Sequence, residues 1–398
     1  MMRHGPRPAL ESLLSNVPSS TKPALKTTAL HTLHQELGGR LVPYAGYELP
    51  VQYPAGLMAE HRHTRESASL FDVSHMGQLF ISGAGTSLAL ESLMPVDVLD
   101  LGVGKQRYGM LLNDEGGIID DLMFLRLSAP DEGDRLFMVV NGACKAGDIA
   151  HMQARIGSKC QIEPQNERAL LALQGPKAVD ALARLAPGVE KLVFMTGGEF
   201  EVAGLNCIVT RSGYTGEDGY EISVAAQDAE ALARALLAQP EVQAAGLGAR
   251  NSLRLEAGLC LYGNDMDTSA TPVEASLAWA IQKVRRSGGA RAGGFPGAER
   301  VLAQLADPAA LPRKRVGLVA LERIPVREHT ELQDASGQRI GEVTSGLLAP
   351  SLDKAVAMAY VPPAFSAVGT QLKAMVRGKS VPMEVVAMPF LAPRYFRG

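Results

Sequence analysis

No apolar run in this 398-residue chain approaches the roughly 20 residues that a bilayer crossing requires. Nothing in the sequence therefore reads as a membrane span. Cysteine is scarce: Cys144, Cys160, Cys207 and Cys260 are the only four, and no two form a CxxC pair. That excludes a zinc knuckle and a dithiol redox motif. Wide spacing suits reduced, mostly buried thiols in a reducing compartment. The net charge is only −3, so no global attraction draws the chain to nucleic acid or to a membrane surface. What is present is ordinary for a globular protein, with 46% hydrophobic and 20% charged residues. The 41 glycines and 24 prolines predict many turns and a β-containing fold. The length accommodates two or three domains.

Several catalytic signatures are incomplete. Gly378-Lys379-Ser380 ends like a phosphate loop, but Lys373 stands where its first glycine belongs. Gly102-Val103-Gly104 has Arg107 at the third glycine position of a dinucleotide fingerprint. No nucleophile elbow is present. His31, His34, His61 and His63 lack a Cys or carboxylate array to complete a metal site, so no metal is expected.

Periodicity predicts a helix at 29–37, stopped by Gly38-Gly39, and another at 57–70. It further predicts helices at 145–155, 228–237 with Asp228 as N-cap, and 248–257. Pro176 suits the first turn of one more. Strands are predicted at 79–82, 136–141, 169–174, 207–211 and 220–224, with a hairpin over 107–127. This alternation favours an α+β sandwich architecture over a parallel sheet. Residues 287–297 form a Gly-rich linker or loop. Beyond Pro312, short strands at 315–321, 340–343, 356–361, 372–376 and 381–388 read as a small β-barrel.

The hairpin carries the sharpest chemical signal. In Asn113-Asp114-Glu115-Gly116-Gly117-Ile118-Ile119-Asp120-Asp121-Leu122, two adjacent carboxylates sit among apolar residues. Alternation puts Asp121 with Ile119, Met123 and Leu125 on a face expected to be the core. A carboxylate there is costly unless paired or functional, which makes Asp121 the first catalytic candidate. Asp120 is expected to face away. After the turn Gly213-Tyr214-Thr215-Gly216, Glu221 shares a strand face with Ser223 and suits paired hydrogen bonds to a planar heterocycle such as a pterin. Arg250 and Arg254 share one helical face and suit a carboxylated ligand.

These motifs resemble the aminomethyltransferase (T-protein) family of the glycine cleavage system. The resemblance rests on Leu70–Met76, the Asn113–Asp121 hairpin, Leu171–Pro176, Gly213–Glu221, Arg250–Asp265, Thr271–Glu274, Val343–Gly346 and Met388-Pro389-Phe390. It runs from about residue 27 to the C-terminus. It implies a three-domain cloverleaf: two interleaved, ferredoxin-like α+β domains within 27–310 and a β-barrel over 311–398. Residues 1–26 remain as an N-terminal extension. It also implies tetrahydrofolate as co-substrate and the lipoylated H-protein as partner, with no nucleic acid or membrane.

Asp121 then corresponds to the catalytic Asp, positioning the attacking amine near folate N10 and stabilising developing positive charge. Glu221 corresponds to the pterin-binding Glu, Arg250 to the folate-contacting Arg, and Tyr395 to a channel Tyr. Met76, Tyr108, Asn141 and Tyr214 correspond to pocket-lining positions. Arg254 reads as structural. The alternative is a non-catalytic folate-binding accessory protein on the same fold. Its K-G-C-Y-x-G-Q-E signature is absent here. A flavin-linked dehydrogenase relative would need a dinucleotide domain, for which the chain has no fingerprint. An acidic carrier would be met by Lys283, Arg285, Arg286 and Arg291, or by Arg313-Lys314-Arg315. The expected location is a bacterial cytoplasm, or the mitochondrial matrix if residues 1–26 are a transit peptide.

Overall fold

This computed structural model describes residues 24–398, so the expected N-terminal extension falls outside the described residues up to position 23. The chain begins with α1 (His31–Glu36), the hairpin β1 (Arg40–Tyr44) and β2 (Tyr47–Gln52), α2 (Leu57–Glu66) and β3 (Ala68–Asp72). The helix expected over 57–70 therefore stops at Glu66. Ala68–Asp72 is a strand buried at every position, and a short apolar run alone does not separate a buried strand from a buried helix. Pairing with neighbours on both sides decides it.

A first unit follows: β4 (Gly77–Ser82), α3 (Thr86–Glu91), β5 (Gln106–Leu112), β6 (Ile118–Arg126), β7 (Leu136–Val140), α4 (Lys145–Ile156) and β8 (Gln161–Pro164). Its strands form an antiparallel sheet ordered β5-β6-β7-β4-β8. A second unit repeats the same β-α-β-β-β-α-β plan. It comprises β9 (Arg168–Gln174), α5 (Ala178–Ala183), β10 (Thr196–Val202), β11 (Leu205–Arg211), β12 (Gly219–Ala225), α6 (Ala229–Leu237) and β13 (Val242–Ala244). Its order is β10-β11-β12-β9-β3-β13, the first unit's order with β3 inserted beside the last strand. Because β3 precedes the first unit in sequence, the two units are interleaved. Asp228 makes no side-chain cap at α6; a short 3-10 turn over 226–228 already leads into that helix.

Helices cover one face of each sheet. Leu122 and Phe124 of β6 pack with Leu90 of α3 and Met152 and Ile156 of α4. The opposite faces meet, so Leu125, Phe137 and Val139 of the first sheet share a cluster with Leu170, Ala172 and Ile208 of the second. Fully burying each such side chain contributes roughly 1.5–3 kcal/mol. Asp121 and Glu221 belong to this shared face.

After α7 (Leu247–Glu256), an irregular segment and α8 (Ala298–Ala306) lead into the barrel. Its strands are β14 (Lys314–Ala320), β15 (Glu331–Gln333), β16 (Arg339–Ala349), β17 (Lys354–Val361), β18 (Gln371–Val376) and β19 (Lys379–Val386), closed in the order β14-β17-β16-β15-β18-β19. A buried ionic hub joins the parts. Arg65 of α2 donates to Glu217 and Glu256, both at 2.8 Å, and Arg394 of the C-terminal tail donates to Glu217 at 2.7 Å.

Candidate functional site

The hairpin turn is set by its own sequence. Asn113 Oδ1 accepts from Glu115 N at 3.1 Å and Gly117 N at 2.7 Å, while Gly116 adopts φ +78°. A Cβ on Gly117 would collide with the Thr268 carbonyl. The register then slips between Leu111 and Leu112, leaving Ile119 as the extra residue of a bulge just before the carboxylates.

The two carboxylates point to opposite sides, with the environments reversed from expectation. Asp120 faces the helix-covered core with Leu122 and Phe124 and has no exposed surface. Asp121 shares its face with Met123, which lines the cleft between the two sheets. The sequence pattern does not reveal this because both faces of the sheet are covered, one by helices and one by the second sheet.

Asn141, just past β7, links the pair. Its Nδ2 donates to Asp120 Oδ1 at 2.9 Å and to Asp121 Oδ1 at 2.7 Å; its backbone N donates to Asp120 Oδ2 at 3.0 Å. The Tyr108 phenol lies beside Asp121 and its ring stacks on Trp279 at 5.2 Å. Burial, then the neighbouring Asp120 charge, push Asp121 up from 3.8 to about 7; Tyr108 and Asn141 pull the other way.

Glu221 comes from β12, opposite Thr210 of β11 and Ala172 of β9. With Gln106, Met123, Phe137 and Ile208 it lines a narrow cavity between the sheets. Burial raises its carboxyl, and the Arg250 charge opposes that rise. Arg250, on α7, lies 4.7 Å over the Tyr214 ring, and its buried Nη1 has no hydrogen-bond partner. Tyr214 donates to the Cys260 carbonyl oxygen. Its position on the turn depends on Gly213, where a Cβ would collide with the Gln174 amide.

Asp121 with Asn141 and Tyr108, then Tyr214, Arg250 and Glu221, thus form a continuous run of neighbours, and Glu221 lines the cavity between the sheets. Met76 packs against the apolar cluster between the sheets. Tyr395 stands apart from Asp121: it stacks on Phe194 at 4.0 Å, at a mouth that Phe194, Lys105 and Gln106 line. Gln106 also lines the inner cavity beside Glu221. Arg254 is structural, paired with Asp265 at 2.6 Å in the interior.

The expected basic patches do not stand free. Arg285 and Arg291 pair with Glu91, Arg291 also with Asp97 and Asp100. Arg286 donates to the Ile281 and Ala278 carbonyls, Arg313 pairs with Glu274, and Arg315 is buried. Glu91, Asp97, Asp100 and Glu274, distant in sequence, pair with Arg285, Arg291 and Arg313, which a run of basic letters does not reveal.

Sequence reasoning missed His75, Trp279, Phe194 and Asp148. His75 is buried beside Tyr44, with burial and then Arg250 holding it down to about 4, so it is neutral. Asp148 had a legible signal: it occupies the apolar stripe of α4 with Met152 and Ile156 at four-residue spacing.

Comparisons with known proteins agree with this architecture. The GCVT N-terminal domain family matches residues 30–285, and the glycine cleavage T-protein C-terminal barrel domain matches 313–391. The mitochondrial aminomethyltransferase of Dictyostelium discoideum is 43% identical, covering 94% of this chain and 95% of that protein. That of Mus musculus is 46% identical, over 95% and 93%. The crystal structure of the glycine cleavage system aminomethyltransferase T from Bartonella henselae superimposes with a TM-score of 0.88 at 42% identity, covering 94% of this chain and all of that one. The chain belongs to the glycine cleavage T-protein family of aminomethyltransferases.

Proposed function

We propose that the cleft between the two sheets moves the methylene carbon of an aminomethyl group, carried on the dihydrolipoyl arm of an H-protein, to tetrahydrofolate. The products are 5,10-methylenetetrahydrofolate, ammonia and the dihydrolipoyl carrier. One observation carries this reading. Asp121 is held by Asn141 beside Tyr108, and the Tyr214 phenol and Arg250 charge next to it lead on to Glu221 in the cavity between the sheets.

The residues present fit a folate. The orphaned Arg250 Nη1 has donor capacity to spare for a ligand acceptor. Glu221, desolvated between the sheets, suits the paired N–H donors of a pterin. Tetrahydrofolate supplies two nucleophilic nitrogens, N5 and N10.

The balance of atoms sets what Asp121 must do. One C–N and one C–S bond break, and two C–N bonds form. Two protons leave the folate nitrogens; one goes to the departing amine and the other to the sulfur. A carboxyl titrating near 7 accepts and releases a proton at neutral pH, and as an anion it stabilises positive charge at the carbon in transfer. Tyr108 and Asn141 hold it in place.

The four free thiols suit a reducing compartment, which in this reading is a bacterial cytoplasm. The relatives named above are mitochondrial. Among the described residues, no helix is long and apolar enough to cross a membrane.

The test is ammonia release from aminomethyl-dihydrolipoyl H-protein with and without tetrahydrofolate. Folate-dependent release with methylenetetrahydrofolate formation is expected. Folate binding without turnover overturns the reading and assigns the chain to the non-catalytic accessory class.

A further inference from the structure

Behind Asp121 lies a second buried carboxyl that the proposed chemistry does not touch. Asp148 of α4 and Asp120 of β6 are both at 0% exposure. They neighbour each other, with the Cys144 thiol alongside. Asp120 receives two hydrogen bonds from Asn141. Neither oxygen of Asp148 has a partner of ordinary hydrogen-bond geometry.

No cation compensates the pair among the described residues. Lys145, on the same helix, directs its Nζ to Tyr47 Oη at 2.8 Å and to the His75 carbonyl at 3.0 Å. The Tyr262 phenol also lies near the pair, and it donates to the Ile118 carbonyl at 3.1 Å. Asp121 adds a third acid on the far side of Asn141.

Two adjacent carboxylates in a dry interior without a cation cannot both ionise. The proton resides where donors are missing, on Asp148, because Asp120 already accepts from Asn141. The start of α4 favours negative charge at Asp148, but that partial charge is small against full desolvation. We propose that Asp148 carries the shared proton of a buried carboxyl pair, which leaves Asp120 as the single fixed anion that Asp121 feels across Asn141.

The arrangement has a definite consequence. Asp148 is held up to about 9, by burial and then by the Asp120 charge. Through the neutral range Asp121 therefore feels one fixed anion. Above that range Asp148 ionises, a second anion appears, and Asp121 binds its proton more tightly.

The inference rests on the proposed reaction only where rates are read; an infrared measurement tests it independently of turnover. In the full-length protein at pH 8, difference infrared spectroscopy should show the carbonyl stretch of a protonated, buried carboxyl. It should disappear as pH rises through about 9, and it should be absent from Asp148→Asn. No such band in the wild-type protein, or a band unchanged in Asp148→Asn, overturns the proposal. If the variant does not fold, a wild-type band with no component titrating near 9 still overturns the proposal.

In kinetics, the neutral isostere Asp148→Asn should leave the acid limb of the kcat–pH profile within about 0.3 pH unit of wild type. Asp120→Asn, which removes the fixed anion, should lower that limb by about one unit or more. An unmoved limb in Asp120→Asn would show that Asp120 is not the fixed anion and would overturn the proposal. Equal displacement by both shows that Asp148 was an anion and refutes the assignment. Absence of turnover in the wild-type enzyme refutes the reaction instead and leaves the infrared result to decide on Asp148.

Discussion

Replacing Asp121 by Asn separates what this carboxyl does for the reaction from what it costs the fold. The folded protein holds the group at about 7, against 3.8 for an unperturbed Asp. The proton thus binds the folded state more tightly than the unfolded chain. Stability is greatest below the unfolded value and falls as pH rises from 3.8 toward 7, where it levels off. The gap of about three pH units has a ceiling of ~4 kcal/mol. Solvent in the cleft and local relaxation reduce the expected penalty to ~1–2 kcal/mol. Asp121→Asn keeps the size and removes the charge, so it should raise the stability of the ligand-free protein at pH 8 by that amount. The gain should vanish at pH 4. Denaturant unfolding at the two pH values measures it, and equal stability changes at both would refute the electrostatic account.

The same variant should cut kcat at least about tenfold, the lower edge of general acid–base and electrostatic contributions. Tetrahydrofolate affinity, read by calorimetry, should change much less. Parallel losses in rate and affinity would make Asp121 a binding residue. In the wild-type enzyme, if the carboxylate is the working form, kcat should fall about tenfold per pH unit below 7.

Glu221→Ala should weaken tetrahydrofolate binding by ~1–3 kcal/mol, the range for losing a charged hydrogen-bond partner; unchanged affinity in calorimetry would remove Glu221 from the folate site. Arg254→Met leaves Asp265 as an interior anion without its 2.6 Å partner, and should cost ~3–5 kcal/mol in denaturant unfolding. A loss below ~1 kcal/mol would show that the Thr344, Ser345 and Leu261 donors to Asp265 suffice alone. Gly117→Ala drives a Cβ into the Thr268 carbonyl, so kcat should fall together with Tm as the hairpin shifts; wild-type values for both would show that the turn is not under this constraint.

Local chemistry made much of this protein legible before any fold was known. The Asn-Asp-Glu-Gly-Gly turn and the flanking alternation locate the hairpin because its hydrogen bonds lie within a few residues of one another. Five of the six barrel strands, all but β15, and the helices at α1, α4, α6 and α7 declare themselves in the same way, by period and punctuation. Two adjacent carboxylates in an apolar strand announce chemistry, since a buried charge without a partner is rarely tolerated.

Which side each carboxylate faces was beyond the reach of periodicity, because helices cover one face of the sheet and a second sheet covers the other. The inserted strand β3, the neutralised arginines around Glu91, and the meeting of Glu221 with Arg250 all join residues far apart in the chain. Asp148 shows the limit most plainly. Its place in an apolar stripe was visible in the sequence. Only tertiary packing sets it against Asp120 in a site without a cation, where one of the two acids must keep its proton.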